Sequence, residues 1–265
     1  MESGGRVVKI AAVAAGGLGR AARQLGALAL DQLYPPRCLY CDAAVSDADT
    51  LCGACFTQLR PITAPYCPVL GIPFEVPLGP EALSAEAIAD PPPFGRARSA
   101  VLYNAVARKL VSRLKYGDRP ELARFCARLM ARAGHELWEG NPVLVPVPLH
   151  RVRQFERRYN QSAELARALA AVTGLAVDPV LVSRTRRTKR QVGLSADARA
   201  RNVAGAFTAR PDILARLRGR RIVLVDDVVT TGSTVRAVTN ALKRAGVDQV
   251  DVISFARVTV AGDLS

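Results

Sequence analysis

The stretch RIVLVDDVVTTGST, Arg221 to Thr234, ends an apolar run on two adjacent acids and follows them at once with hydroxyls and a glycine. Ile222 to Val225 need burial as a strand, which brings Asp226 and Asp227 out at its carboxyl end. The helical pattern GSTVRAVTNALKRAG starts directly behind them and is closed by Gly246. In an open α/β sheet, ligands collect at such strand-to-helix junctions. The two carboxylates can accept hydrogen bonds from sugar hydroxyls or hold a hydrated magnesium ion. Behind them TTGST supplies consecutive backbone N–H groups. Gly232 allows the tight turn, Thr230, Thr231, Ser233 and Thr234 add hydroxyl donors, and the helix N-terminus attracts negative charge. A phosphorylated ribose fits both halves of this socket. The competing reading is a plain strand-turn-helix with capping hydroxyls. Two like charges side by side at a strand end argue against it, because they repel unless a ligand or metal uses them. No Gly-Lys-Ser/Thr is present, and no G-x-G-x-x-G opens a helix after a strand, which excludes the common triphosphate and dinucleotide loops.

Working outward from this junction, apolar runs alternate with helical patterns from Arg98 onward. SAVLY reads as a strand, AVARKLVSRLKYG as a helix ended by Gly117, and PELARFCARLMARAGHELW as a helix with Pro120 in its first turn. PVLVPVP reads as a short strand, NQSAELARALAAVTG as a helix from near Asn160 to Gly174, and VDVISFARV as a last strand. This alternation predicts βαβ crossovers and an α/β fold, a parallel sheet flanked by helices. Cys126 falls on the apolar face of its helix and reads as an ordinary buried residue.

The chain has 265 residues and a formal net charge of +14. The excess is concentrated: residues 151–221 carry seventeen basic and five acidic side chains, and sixteen of the bases are Arg. A single-sign field this dense faces an anion such as phosphate, pyrophosphate or nucleic acid more readily than it serves as a solvated surface. No apolar run reaches membrane-spanning length. The N-terminal VVKIAAVAAGGLGRAARQLGALAL reads as an amphipathic helix over 1–32, since Lys9 and Arg20 break any secretory pattern.

Four of the six cysteines fall in CLYCDAAVSDADTLCGAC: Cys38, Cys41, Cys52 and Cys55 form two C-x2-C knuckles. That spacing sets four thiolates around one zinc ion, and without a secretory signal it is read as a cytoplasmic metal site in preference to disulfides. The expected organisation is a helical segment over 1–32, a zinc-binding cysteine module over 33–67, a proline-rich linker or surface loop over 68–94, and the α/β domain over 95–265.

VLVDDVVTTGST resembles the phosphoribosyl-pyrophosphate-binding motif of type I phosphoribosyltransferases. CLYC…CGAC, DPPPFGRARSAVLY, LKYGDRPELAR, VPVPLHRVRQFERRYNQSAELARAL and KRQVGLSADARARNVAGAF precede it in the order found in the ComF family of bacterial competence-type proteins, also called GntX-like or amidophosphoribosyltransferase-like. The resemblance runs from about Leu33 to Val258. It implies a type I phosphoribosyltransferase-like sheet with a small N-terminal zinc ribbon, and phosphoribosyl pyrophosphate and magnesium as ligands. Asp226 and Asp227 would be the catalytic pair, taking the ribose diol and the metal. Val228, Val229, Thr230, Thr231, Gly232, Ser233 and Thr234 would complete the ligand-binding run. Pro148, Leu149 and His150, with Arg151 and Arg153 nearby, match the pyrophosphate loop. RRTKRQVGLSADARARN matches a mobile basic stretch that closes over the site. Family members often carry a second pair of knuckles; here Cys67 stands with Leu70, Ser84 and Ala87 at the other positions, so one zinc ion is expected.

The resemblance leaves turnover and the acceptor open, because fold does not imply function. An enzyme of this type would transfer a pentosyl group by positioning and charge stabilisation, without a covalent nucleophile. His150 suits a structural hydrogen bond as well as a catalytic one. The other reading is a non-catalytic competence factor that handles single-stranded DNA or works with a DNA-uptake helicase. The basic segment supports it, while its sparse aromatics, Phe155, Tyr159 and Phe207, make a weak stacking platform.

Overall fold

The computed structural model describes residues 35–79, 81–116, 120–149, 160–186, 196–217 and 219–259. The chain divides after Cys52 into two compact units. In the first, a bridge between Arg37 and Ala44 and the bond from Cys38 N–H to Ala43 O (2.8 Å) fold the first knuckle back on itself. Leu39 is buried there and donates its N–H to Thr50 O at 3.0 Å. So short a ribbon buries too little apolar surface to stand alone, and a bound metal is the usual remedy.

The second unit opens with α1 (Gly53–Phe56) and α2 (Ala85–Ala89), the latter capped by the Ser84 side chain. There follow β1 (Ala97–Leu102), α3 (Ala105–Tyr116), α4 (Pro120–Ala133), β2 (Val143–Pro146), α5 (Gln161–Thr173) and β3 (Ala176–Val177). The chain then runs through β4 (Val182–Arg184), α6 (Ala196–Val203), β5 (Phe207–Ala209), α7 (Pro211–Leu214), β6 (Ile222–Val229), α8 (Ser233–Arg244) and β7 (Val250–Arg257).

Five strands form one parallel sheet in the order β1-β7-β6-β2-β3, as the alternating pattern predicts. β2 and β7 are buried along their whole length, the sign of a sheet covered on both faces. α5 packs on α4, β2 and β6, whereas α8 packs on β5 and α6. The connection after β2 leads outward to β3, and the one after β6 leads the opposite way to β7. With right-handed crossovers the two helices lie on opposite faces, so the carboxyl ends of β2 and β6 flank a topological switch point. This is where the fold leaves a crevice.

Three features differ from the sequence reading. The strand carrying the acids runs on to Val229, because its pairing with β7 continues to Val229↔Arg257 after pairing with β2 stops at Pro146↔Val225. Its free edge therefore begins at Asp226. The antiparallel pair β4–β5, three residues each, has no counterpart in the sequence reading. The stretch expected as a linker over 68–94 is packed: Leu70, Ala87 and Phe94 are buried in the same core as Val143, Leu224 and Val238. Proline supplies turns here, while the interspersed apolar side chains supply the anchors.

Candidate functional site

At the free edge of β6, Asp226 Oδ1 accepts the Ser162 hydroxyl (3.0 Å) and the Asp227 N–H (2.9 Å). Ser162 is held there by Asn160, which caps α5 by accepting the Ser162 N–H and ties the helix start to the end of β2 by donating to Val147 O at 3.1 Å. Asp227 Oδ1 accepts the Val228 N–H at 2.8 Å, and Asp227 Oδ2 pairs with Lys115 Nζ at 2.9 Å. Loss of hydration first, and then the charge of Asp227, push the Asp226 carboxyl up to about 7, against the lowering effect of its hydrogen bonds and of Lys115. The pair is therefore a strained electrostatic arrangement on a rigid strand, of the kind found at functional sites.

Immediately beyond, the chain turns into α8. Gly232 has φ +74°, and a Cβ there would meet only ordinary contacts at 3.8 Å and beyond. The turn needs glycine for its left-handed backbone, not for space. The Thr231 and Ser233 hydroxyls share a hydrogen bond of 2.7 Å, and the Arg236 N–H begins the helix by donating to Gly232 O. Asp226, Val228, Val229, Thr230, Gly232, Ser233 and Thr234 line one small open hollow. Asp226 and the hydroxyl loop thus share a single concavity. Its chemistry is a hard-oxygen edge suited to a diol or hydrated magnesium beside a helix N-terminus suited to an anion.

Across the switch point, the residue after β2, Val147, donates its N–H to Val225 O at 2.9 Å, and Pro148 is buried. Leu149 is half-buried. His150, Arg151 and Arg153 lie outside the described residues, as does most of the basic stretch, 187–195.

The four knuckle cysteines place their sulfurs within 4.8 Å of one another, and Cys41 Sγ and Cys52 Sγ are 3.7 Å apart. Zn–S bonds of about 2.3 Å in a tetrahedron give S···S edges of about 3.8 Å, so the cluster fits zinc. Cys38 Sγ accepts the Cys52 N–H at 3.2 Å. Burial opposes ionisation of Cys38, but the N–H groups of Cys41, Cys52 and Tyr40 outweigh it and bring the thiol down to about 6, as a metal-binding thiolate requires.

Residues 29–88 match the family described as double zinc ribbon domain, and residues 112–260 match the phosphoribosyl transferase domain. The DNA utilization protein YhgH of Salmonella typhimurium is 35% identical over 213 residues, which is 78% of this chain and 90% of that protein. Competence protein F of Haemophilus influenzae is 29% identical over 228 residues, 83% of this chain and 96% of that protein. The chain belongs to the competence protein F and YhgH family. A hypoxanthine/guanine phosphoribosyltransferase of Methanobacterium lacus is 36% identical over 91 residues, covering 34% of this chain and 44% of that protein.

At the positions read from the sequence as a second pair of knuckles, the chain has one thiol, Cys67, with Leu70, Ser84 and Ala87. Cys67 Sγ accepts the Leu70 N–H at 3.4 Å, while Ser84 caps α2 with its hydroxyl on the Ala87 N–H. Burial of Cys67 is outweighed by hydrogen bonds from Leu70, Ser84 and Val69, which lower its pKa. Among the described residues, the one cysteine cluster with metal-holding geometry is Cys38, Cys41, Cys52 and Cys55. Two side chains at the acid pair escaped the sequence reading. Ser162 lies in a stretch read only for its helix start, and Lys115 lies in the family-like LKYGD, which was given no role.

Proposed function

We propose that this chain binds phosphoribosyl pyrophosphate with magnesium in the crevice at the carboxyl end of β6. The observation that carries the reading is the hollow in which Asp226 stands beside Thr230, Gly232, Ser233 and Thr234 at the switch point. In this reading Asp226 and Asp227 orient the ribose diol and the hydrated metal. The N–H groups and hydroxyls of Thr230, Thr231, Gly232, Ser233 and Thr234 hold the 5-phosphate, with Val228 and Val229 as the wall of the socket. Pro148, Leu149 and His150, with Arg151 and Arg153, take the pyrophosphate. Magnesium, when bound, neutralises charge on the pyrophosphate. Rigid positioning by β6 and α8 then favours departure of pyrophosphate from C1 and transfer of the phosphoribosyl group to an acceptor.

The cysteine module over 33–67 holds one structural zinc, and the ligand belongs to the domain over 95–265. A thiolate site of this kind suits a reducing compartment, so the reading assigns the chain to the cytoplasm. Among the described residues no helix is long and apolar enough to cross a membrane. A second reading is favoured by the names of the relatives, competence protein and DNA utilization protein: the basic segment handles single-stranded DNA or meets a DNA-uptake helicase. Titration with phosphoribosyl pyrophosphate, with and without magnesium, and with a single-stranded oligonucleotide over a salt series, separates the two. Saturable, magnesium-dependent binding supports the first. Oligonucleotide binding that fades with salt, with no response to phosphoribosyl pyrophosphate, replaces it with the second.

A further inference from the structure

Lys115 stands in the last turn of α3, on a different element from both acids, and its Nζ lies 2.9 Å from Asp227 Oδ2. The other oxygen of Asp227 already accepts the Val228 N–H. Both oxygens of Asp227 are thus engaged, and a hydrated metal or ribose hydroxyl reaching Oδ2 competes with this ammonium. The Lys115 side chain is 27% exposed and that of Asp227 is 14% exposed, so the pair is neither sealed in the core nor fully solvated.

We propose that Lys115 is a built-in counter-ion that occupies Asp227 while the site is empty and moves to the pyrophosphate of the ligand when the diol takes its place. The proposal rests on the phosphoribosyl-pyrophosphate reading and adds to it a residue and an exchange. Two adjacent carboxylates without a cation repel each other, and Lys115 relieves this in the empty site. A diol and metal arriving at Asp227 displace the ammonium. A pyrophosphate at C1 of the same ribose brings a dense negative charge next to the diol. Lysine has a compact charge on a four-carbon stem with freely rotating donors, which suits such a transfer between anions. No covalent bond is made or broken. A merely structural tie between α3 and β6 would instead keep Lys115 on Asp227 throughout.

Two ligands separate these cases: ribose 5-phosphate has the diol and phosphate but no pyrophosphate, and phosphoribosyl pyrophosphate has all three. Calorimetric titration at fixed magnesium compares wild type, Lys115→Met and Lys115→Arg, with a thermal melt of each. The exchange predicts opposite shifts in Lys115→Met. Ribose 5-phosphate binds several-fold tighter because nothing has to be displaced, and phosphoribosyl pyrophosphate binds roughly tenfold weaker because one charge-assisted contact is lost. Lys115→Arg, which keeps the charge, restores most of the affinity for phosphoribosyl pyrophosphate. Unchanged affinities, or shifts in the same direction for both ligands, overturn the exchange while leaving the ligand reading intact. A folded wild type that binds neither ligand overturns the reading and the exchange together.

Discussion

Ser162, the second residue of α5, donates its hydroxyl to Asp226 on β6 across 3.0 Å. The bond joins the helix that follows β2 to the strand beside β2, so the two sides of the switch point are fastened at the acid pair itself. The same helix start, through Asn160, also holds the end of β2. One capping motif thus helps to hold Asp226 in place, and its Ser162 hydroxyl favours the ionised form against burial and the charge of Asp227.

The pH dependence of ligand binding follows from this. With its carboxyl pushed up to about 7, chiefly by burial and then by Asp227, Asp226 is only partly ionised near neutrality. A ligand that needs the carboxylate binds more tightly as pH rises from 6 to 8 and weakens as the group protonates below. Ser162→Ala removes a hydrogen bond that favours the charged form, so the midpoint moves upward, by on the order of one pH unit or less. Titrations of both proteins with phosphoribosyl pyrophosphate across this range check it; a midpoint that stays in place or falls contradicts the assignment of Ser162.

Much of the sheet was legible because its strands are short apolar runs closed by clear helix signals. Gly174 ends α5 in the left-handed conformation that its sequence position predicts, and Asn160 caps the same helix. The length of β6 was not legible, because Asp226 and Asp227 interrupt the apolar signal while the β7 ladder continues beside them. β4 and β5 are too short for a periodic pattern, and their pairing spans more than twenty residues of chain. Residues 68–94 have no period at all, yet Leu70, Ala87 and Phe94 fill the core one side chain at a time. The ion pair of Lys115 with Asp227 joins residues more than a hundred positions apart, which no local pattern reports.

For the metal centre, one zinc per chain is expected under reducing conditions. Cys38→Ser or Cys55→Ser opens a four-ligand shell, so zinc is lost and the melting temperature falls. Cys126→Ser serves as the control, since Cys126 is buried on α4, is not one of the four clustered cysteines, and has its thiol pushed well up by burial. Elemental analysis giving two zinc ions, or none, contradicts the expectation.

Stability at the opposite end of the sheet depends on Glu136. It accepts from Arg98 Nε at 2.5 Å and from Tyr66 at 3.3 Å, and it pairs with Arg96 at 3.4 Å; the Arg98 side chain is only 5% exposed. Burial of Glu136 raises its pKa, but the hydrogen bond and charge of Arg98, followed by Arg96 and Tyr66, outweigh it and hold the carboxyl below its ordinary value of 4.5. The folded state therefore favours the ionised form. Its stabilisation is present above pH 4.5 and is lost as pH falls through the lower folded value. Glu136→Gln leaves Arg98 buried without its carboxylate and destabilises the fold by about 2 kcal/mol, between the cost of losing an exposed pair and that of breaking a fully buried one. Urea unfolding at pH 7 should show the loss and at pH 3 a much smaller one. Equal loss at both would assign the effect to packing.

The most direct test of the account replaces both acids, Asp226→Asn together with Asp227→Asn, and titrates the protein calorimetrically with phosphoribosyl pyrophosphate and magnesium beside wild type. Wild type is expected to bind saturably and in a magnesium-dependent way. The Asn pair is expected to keep its fold and to bind with affinity lower by roughly 2 to 4 kcal/mol, the scale of losing charge-assisted hydrogen bonds from two groups. Equal binding by the two proteins, or no binding by a folded wild type, would contradict the account.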